Sequence, residues 1–202
     1  MTVSRLDPTA TALVLVDLQR GVVALPVAPH PADAVVANAM RLARAFRAAG
    51  APVILVRVSF SADGADALTT LVDERPPRSE RPPGFDEIVE GLREPGDVVV
   101  TKRQWGAFYG TDLDLQMRRR GIDTVVLGGI ATNLGVESTA RPAREHGYHV
   151  VLAEDAMSAL SADDHAFAFT RIFPRLGRVA STGEILAALD AGPPGCPTLA
   201  RA

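Results

Sequence analysis

Two charged residues follow apolar runs in a way that would bring them to one cleft. Ala12–Val16 (Ala-Leu-Val-Leu-Val) runs into Asp17, and Val98–Thr101 runs into Lys102. A carboxylate and an ammonium sharing a desolvated cleft set each other's protonation, which suits proton transfer to a small molecule. A third feature is Gly129-Ile-Ala-Thr-Asn-Leu-Gly135-Val-Glu-Ser-Thr-Ala-Arg141. It has the composition of a strand end, a tight small-residue turn and a helix start, a geometry that aims backbone N–H groups into a pocket. Singly, each has a plain alternative: an aspartate can cap a turn, a lysine can be solvated, and a Gly-Gly pair can serve close packing. Their convergence on one edge is the argument for function. The single cysteine, Cys196, lies in a Pro/Gly-rich tail, so chemistry at the turn proceeds without a thiolate.

That convergence requires a particular scaffold. Ala12–Val16 reads as a strand buried on both faces, as in a parallel sheet. Ala34–Ala49 carries a helical stripe of Val35, Ala39, Leu42, Ala43 and Phe46 and stops at Gly50. Strands are predicted over Val53–Val58, Val98–Thr101, Thr124–Leu127, Val150–Ala153 and Arg178–Ala180. Helices are predicted over Asp112–Arg120 and from about Leu134 to His146, the latter after a Gly128-Gly129 turn. Ser161 is a plausible N-cap for another helix, and Ser181-Thr-Gly-Glu184 is a capping-box pattern before a last helix, Ile185–Asp190. Six strands alternating with helices imply parallel crossovers and a three-layer α/β sandwich. In such a sheet, ligands bind beyond the carboxyl ends of the strands, where strand order reverses. The long connection from Ser59 to Asp97 reads as pocket cover, oligomer contact or a plain exposed loop.

Composition narrows the function. The chain has 202 residues, 47% hydrophobic and 22% charged, which suits one globular domain over about 1–190 followed by a flexible tail from 191 to 202. With 21 basic and 24 acidic residues the net charge is −3, leaving no excess to hold a nucleic-acid backbone. Apolar runs are strand-length and the N-terminus has no apolar signal region, so neither membrane partner nor export is expected and a cytoplasmic location is. No GxSxG elbow, P-loop or GxGxxG occurs, and Ser138 reads as a helix residue. Glu154 and Asp155 read as capping a turn. His30, His146, His149 and His165 share no ligand spacing, and no metal or other cofactor is expected.

The same residues resemble the isochorismatase-like hydrolases of the cysteine hydrolase superfamily. Leu13-Val-Leu-Val-Asp17-Leu-Gln19 resembles that family's first strand and catalytic aspartate. Val100-Thr-Lys102-Arg-Gln-Trp-Gly-Ala-Phe108-Tyr-Gly-Thr-Asp-Leu113 resembles its lysine segment, and Gly128–Arg141 its nucleophile turn. Glu154–Ser158 and Ser181–Leu186 match its late strand and last helix. The resemblance implies a Rossmann-like strand order of 3-2-1-4-5-6 and a homo-oligomer. It also implies a cis peptide at Ile130–Ala131 and oxyanion donors at the N–H groups of Ala131 and Gly135. Amidase members use an Asp, Lys and Cys triad; Asp17 and Lys102 carry over, and Gly135 stands at the nucleophile's position.

True isochorismatases also have glycine there and cleave an enol ether, with a carboxylic acid protonating the vinylic carbon and water adding afterwards. The resemblance therefore implies Asp17 as acid/base, Lys102 as its charge partner, and Gln19, Trp105, Phe108 and Tyr109 as substrate-pocket residues. The three aromatic residues read equally as core or interface. The turn departs from isochorismatases, which resemble Gly-Val-Tyr-Ala-His, and reads Gly129-Ile-Ala-Thr-Asn133, closer to amidases. Nicotinamidase-like members carry an Asp/His metal cluster after the second strand, but Val58-Ser-Phe-Ser61 has no histidine. Three functions remain open: hydrolysis of an enol ether or related activated bond, cysteine-independent amide or ester hydrolysis, and non-catalytic small-molecule binding or scaffolding.

Overall fold

The computed structural model describes Val3 and residues 5–74 and 82–190. In chain order the first half contains β1 (Thr11–Val16), α1 (Arg20–Val23), α2 (Ala32–Ala48), β2 (Val53–Val58) and β3 (Val98–Lys102). Then follow α3 (Leu113–Arg119), β4 (Thr124–Ile130), a π-helical turn (Thr132–Val136), α4 (Glu137–Glu145) and β5 (His149–Ser158). The chain closes with α5 (Ala162–Phe167), a second π-helical turn (Ala168–Ile172), α6 (Phe173–Leu176), β6 (Arg178–Ala180) and α7 (Thr182–Asp190). The expected tail from 191 to 202 and the Arg75-Pro-Pro-Arg78 stretch lie outside the described residues.

All five strand pairings are parallel and the sheet order is β3-β2-β1-β4-β5-β6. β1 is buried throughout because both of its faces are covered. Leu13 and Leu15 pack toward α2 and α7, while Val14 and Val16 pack toward α3, α4 and α6. The helical stripe on α2 (Val35, Ala39, Leu42, Ala43 and Phe46) is wholly buried. That helix stops where expected: Gly50 has φ 73°, its N–H reaches Arg47 O, and Ala51 N–H reaches Phe46 O at 2.9 Å. This pairing of bonds satisfies the last carbonyls around a left-handed residue. Ser161 caps α5 through the Asp164 N–H, and Ser181 and Glu184 form the reciprocal capping pair at α7.

Strand order reverses between β1 and β4, so the crevice beyond their carboxyl ends is the expected binding edge. Two local expectations there need correction. Gly128-Gly129 is not a turn: β4 continues to Ile130, with its register against β5 shifting between Leu127 and Gly129. A Cβ on Gly129, at φ 127°, would lie 2.0 Å from Val16 O, so glycine is there to let two backbones touch. The helix expected from Leu134 to His146 instead begins with the π-helical turn and becomes α-helical at Glu137. Such turns are frequent at functional sites.

Gly129→Ala is expected to cost more than about 4 kcal/mol, because backbone cannot yield as a flexible side chain does. Soluble yield and urea unfolding check this; a stability within about 1 kcal/mol of the original chain contradicts the contact.

The long connection after β2 returns to the sheet edge over its described part. Arg20 N–H bonds Glu87 O, Gly21 N–H bonds Phe85 O, and Gln19 bridges Ile88. Arg47 of α2 anchors the same segment through Leu92 O, Glu94 and Asp97. Among the described residues no helix is long and apolar enough to cross a membrane.

Candidate active site

Asp17 follows β1 with φ 55°, a backbone region that non-glycine residues rarely occupy and that often marks function. Its N–H donates to Val56 O at 2.8 Å and its carbonyl accepts from Gln19 N–H at 2.9 Å, so neighbouring strands hold this conformation. Lys102, the last residue of β3, donates from Nζ to Asp17 Oδ2 at 2.6 Å and to Gln104 O at 3.1 Å. Both residues are buried, at 6% and 2% exposure. Direct contact between the two groups offsets part of the cost of taking each out of water.

The two oxygens of Asp17 are not equivalent. Oδ2 takes the ammonium, whereas Oδ1 is buried with no hydrogen-bond partner. The nearby Val58 N–H gives its hydrogen to Gln19 Oε1 at 2.8 Å. Burial pushes the Asp17 carboxyl up to about 6, against the lowering pull of Lys102. A carboxyl so placed keeps its proton up to about pH 6, well above the usual carboxylate range, and has one oxygen without a hydrogen-bond partner.

Gly135 sits opposite this pair. A Cβ at that position would lie 2.9 Å from Asp17 Oδ2 and 3.6 Å from Lys102 Nζ, so any side chain there would project onto the two charges. The Ile130–Ala131 peptide is cis. Beyond it, Ala131 O accepts from both Leu134 and Val136 N–H at 3.2 Å. Thr139 Oγ1 donates to Gly135 O at 2.7 Å and accepts from Ala107 N–H at 3.2 Å, joining the turn to the segment after Lys102.

Residues 11–184 match the Isochorismatase domain. The chain belongs to the isochorismatase family. It is 53% identical over 185 residues to the isochorismatase family protein YecD of Escherichia coli O157:H7, covering 91% of this chain and 98% of that one. An isochorismatase family protein of Burkholderia thailandensis superposes with a TM-score of 0.89 at 51% identity, covering 93% of this chain and 99% of the other. Ureidoacrylate amidohydrolase RutB of Methylobacterium radiotolerans is 32% identical over 211 residues, spanning 91% of this chain and 81% of that protein.

In this isochorismatase-family chain the expected pocket residues separate. Gln19 is fully buried and its amide is used up: Nε2 donates to Val58 O and Phe85 O, and Oε1 accepts from Val58 N–H. It pins the long connection to the sheet edge. Phe108 is buried and packs its ring on Tyr148 and His146, which precede β5. Trp105 and Tyr109 are 61% and 84% exposed, so neither forms an apolar wall within this chain. A surface groove of about 1100 Å³ runs along Arg20, Arg57, Glu87 and Arg93, and Asp17 is not among the residues that line it.

The histidines also divide. His146 and His149 are exposed, as their place around a helix-to-strand turn suggested. His30 and His165 instead converge on Glu154, with Nε2 to Oε1 distances of 2.9 and 3.1 Å. The His165 hydrogen bond, joined by that of His30, draws the Glu154 carboxyl down to about 2 against partial burial. Glu154 is therefore no turn cap. Asp155 is a cap: its Oδ1 accepts from the Thr182 N–H and hydroxyl at 2.6 and 2.7 Å. Sequence spacing could not reveal the His30–Glu154–His165 group, because His30 and Glu154 are 124 positions apart.

Proposed function

We propose that this isochorismatase-family chain is a hydrolase that cleaves an enol ether or related activated bond of a small molecule, with Asp17 as acid/base and water as nucleophile. One observation carries the reading: a buried carboxyl, pushed up to about 6, has one oxygen on Lys102 and the other unpartnered. The protonated Asp17 gives its proton to the vinylic carbon, and the ether oxygen's electron pair stabilises the resulting oxocarbenium centre. Water adds to the oxygen-bearing oxocarbenium carbon, next to the one protonated, and returns a proton to the Asp17 carboxylate. The hemiketal then opens to a carbonyl compound and an alcohol. Lys102 holds the carboxylate after transfer, and the N–H groups of Ala131 and Gly135 hold a substrate oxygen. With no side chain at position 135, no covalent thioester forms.

A second reading is favoured by the relative named ureidoacrylate amidohydrolase and by the amidase-like turn Gly129-Ile-Ala-Thr-Asn133. In it, Asp17 acts as a base that activates water against an amide or ester.

The two readings give opposite pH dependences. A general acid works protonated, so kcat/KM falls about tenfold per pH unit above about 6. A general base works ionised, so kcat/KM rises through the same region and levels off. The test is a panel of isochorismate, nicotinamide and simple amides at several pH values, with deuterium from solvent followed into the product. Falling activity with deuterium on the former vinylic carbon supports the enol-ether reading. A rising limb on an amide replaces it with the second. Gly135→Cys adds a further outcome: amide cleavage gained only in that variant marks an amidase frame lacking its nucleophile.

A further inference from the structure

His30 precedes α2, Glu154 lies in β5 and His165 lies in α5, yet their ligand atoms all fall within 4.8 Å of one another. We propose that His30, Glu154 and His165 bind one divalent metal ion of the zinc class, through both Nε2 atoms and a Glu154 carboxylate oxygen. The site is separate from the Asp17–Lys102 pair and does not depend on the reaction assigned to it.

Geometry and donor chemistry both favour this. Ligand atoms around tetrahedral zinc, bonded at roughly 2.0–2.2 Å, stand roughly 3.3–3.6 Å apart. The separations of 2.9 and 3.1 Å to Glu154 Oε1 need to open by a few tenths of an ångström, and the two imidazole nitrogens, within 4.8 Å of each other, turn onto the ion. Two imidazoles and one carboxylate suit zinc, cobalt or nickel better than magnesium or calcium, which prefer all-oxygen cages. Three protein ligands also match the number at which zinc keeps a position for water or substrate. That position faces outward, since the His30 and Glu154 side chains are 31% and 37% exposed while His165 is buried.

The innermost ligand is also oriented from behind. His165 Nδ1 lies 2.9 Å from Thr132 Oγ1, and both residues are buried. With Nδ1–H donating to that hydroxyl, Nε2 presents a lone pair toward Glu154 and His30, the arrangement that usually backs a metal-bound histidine. Thr132 opens the π-helical turn that carries Gly135. An ion at the three side chains would therefore brace the turn opposite Asp17 through one imidazole and one hydroxyl.

The test uses the full chain in a Cys196→Ser background without an affinity tag, stripped with chelator and titrated with Zn²⁺ by calorimetry and Co²⁺ by visible absorption. One equivalent per chain is expected, with the ligand-field bands of a four- or five-coordinate cobalt site. His30→Gln and Glu154→Gln are each expected to weaken binding by more than about 100-fold, and Thr132→Val by about 10-fold. His149→Gln is expected to leave it unchanged. His165 is too buried to be the only variant tested; His30 is accessible enough to be replaced with the fold intact, as circular dichroism will verify. Absence of saturable binding by the parent, or equal affinity in the folded His30→Gln and Glu154→Gln variants, overturns the proposal.

Discussion

Asp17→Asn is expected to lower kcat by about 10²–10⁴-fold while leaving the overall fold in place. Asparagine has nearly the same volume, and its carbonyl oxygen can still accept from Lys102 Nζ, which now reaches Asp17 Oδ2 at 2.6 Å. It has no carboxylic proton to give and cannot take one back from water. The loss should fall on kcat more than on KM, because the groups assigned to substrate oxygen are backbone N–H groups of Ala131 and Gly135. Steady-state kinetics on any substrate that emerges from the panel measures this. Unchanged turnover in the folded variant removes Asp17 from the chemistry under both hydrolytic readings.

The second large effect is on stability and comes from Lys102→Met. The ammonium is 2% exposed and directly paired, and removing one member of a buried ion pair costs about 3–5 kcal/mol. The cost depends on pH in a direction set by Asp17. Its carboxyl is already raised to about 6 by burial, and loss of the ammonium raises it further. A carboxyl raised in the folded state contributes stability below its unfolded value of about 4, and that contribution is lost as pH rises toward the folded value. Both chains lose this contribution alike up to about pH 6, so the variant should fall behind the parent only above about 6, by up to about 1.4 kcal/mol for each further pH unit until its own carboxyl ionises. Urea unfolding at pH 5 and pH 8 separates this from a packing defect, which would cost the same at both. Any activity that depends on a protonated Asp17 should extend to higher pH in the variant.

Much of the architecture could be read without coordinates because the physical signals are local. The unbroken apolar run before Asp17 reads as a strand covered on both faces, and β1 is buried throughout. The stripe on α2 repeats at helical spacing, and Gly50 ends that helix in the left-handed conformation its position predicts. The capping patterns at Ser161 and Ser181 form as hydrogen bonds between residues three apart. Gly129 was less legible, since a glycine in a turn and a glycine that lets two strands touch are the same letter. The distance to Val16 O separates them, and it depends on a strand more than a hundred positions away.

The site divides along the same line. Asp17, Lys102 and the small-residue turn were identifiable by type and by position after strands, and the sheet order brings Asp17 and Lys102 together with Gly135 beside them. For Gln19 the sequence showed the neighbourhood but not the surroundings, because its burial and its bonds to the Val58 and Phe85 backbone appear only when the long connection folds back. Phe108 and Tyr109 are adjacent in sequence, yet one is buried and the other solvent-facing.

By itself the sequence determined the parallel α/β class, the absence of a thiol at the turn, and the placing of one aspartate and one lysine each at the end of an apolar run, since all three follow from residue type and short-range pattern. Only the tertiary structure decided which Asp17 oxygen is free, what a side chain at 135 would meet, and that His30, Glu154 and His165 share one point in space. Those are distances between segments far apart along the chain, and a distance of that kind exists only after the sheet has closed.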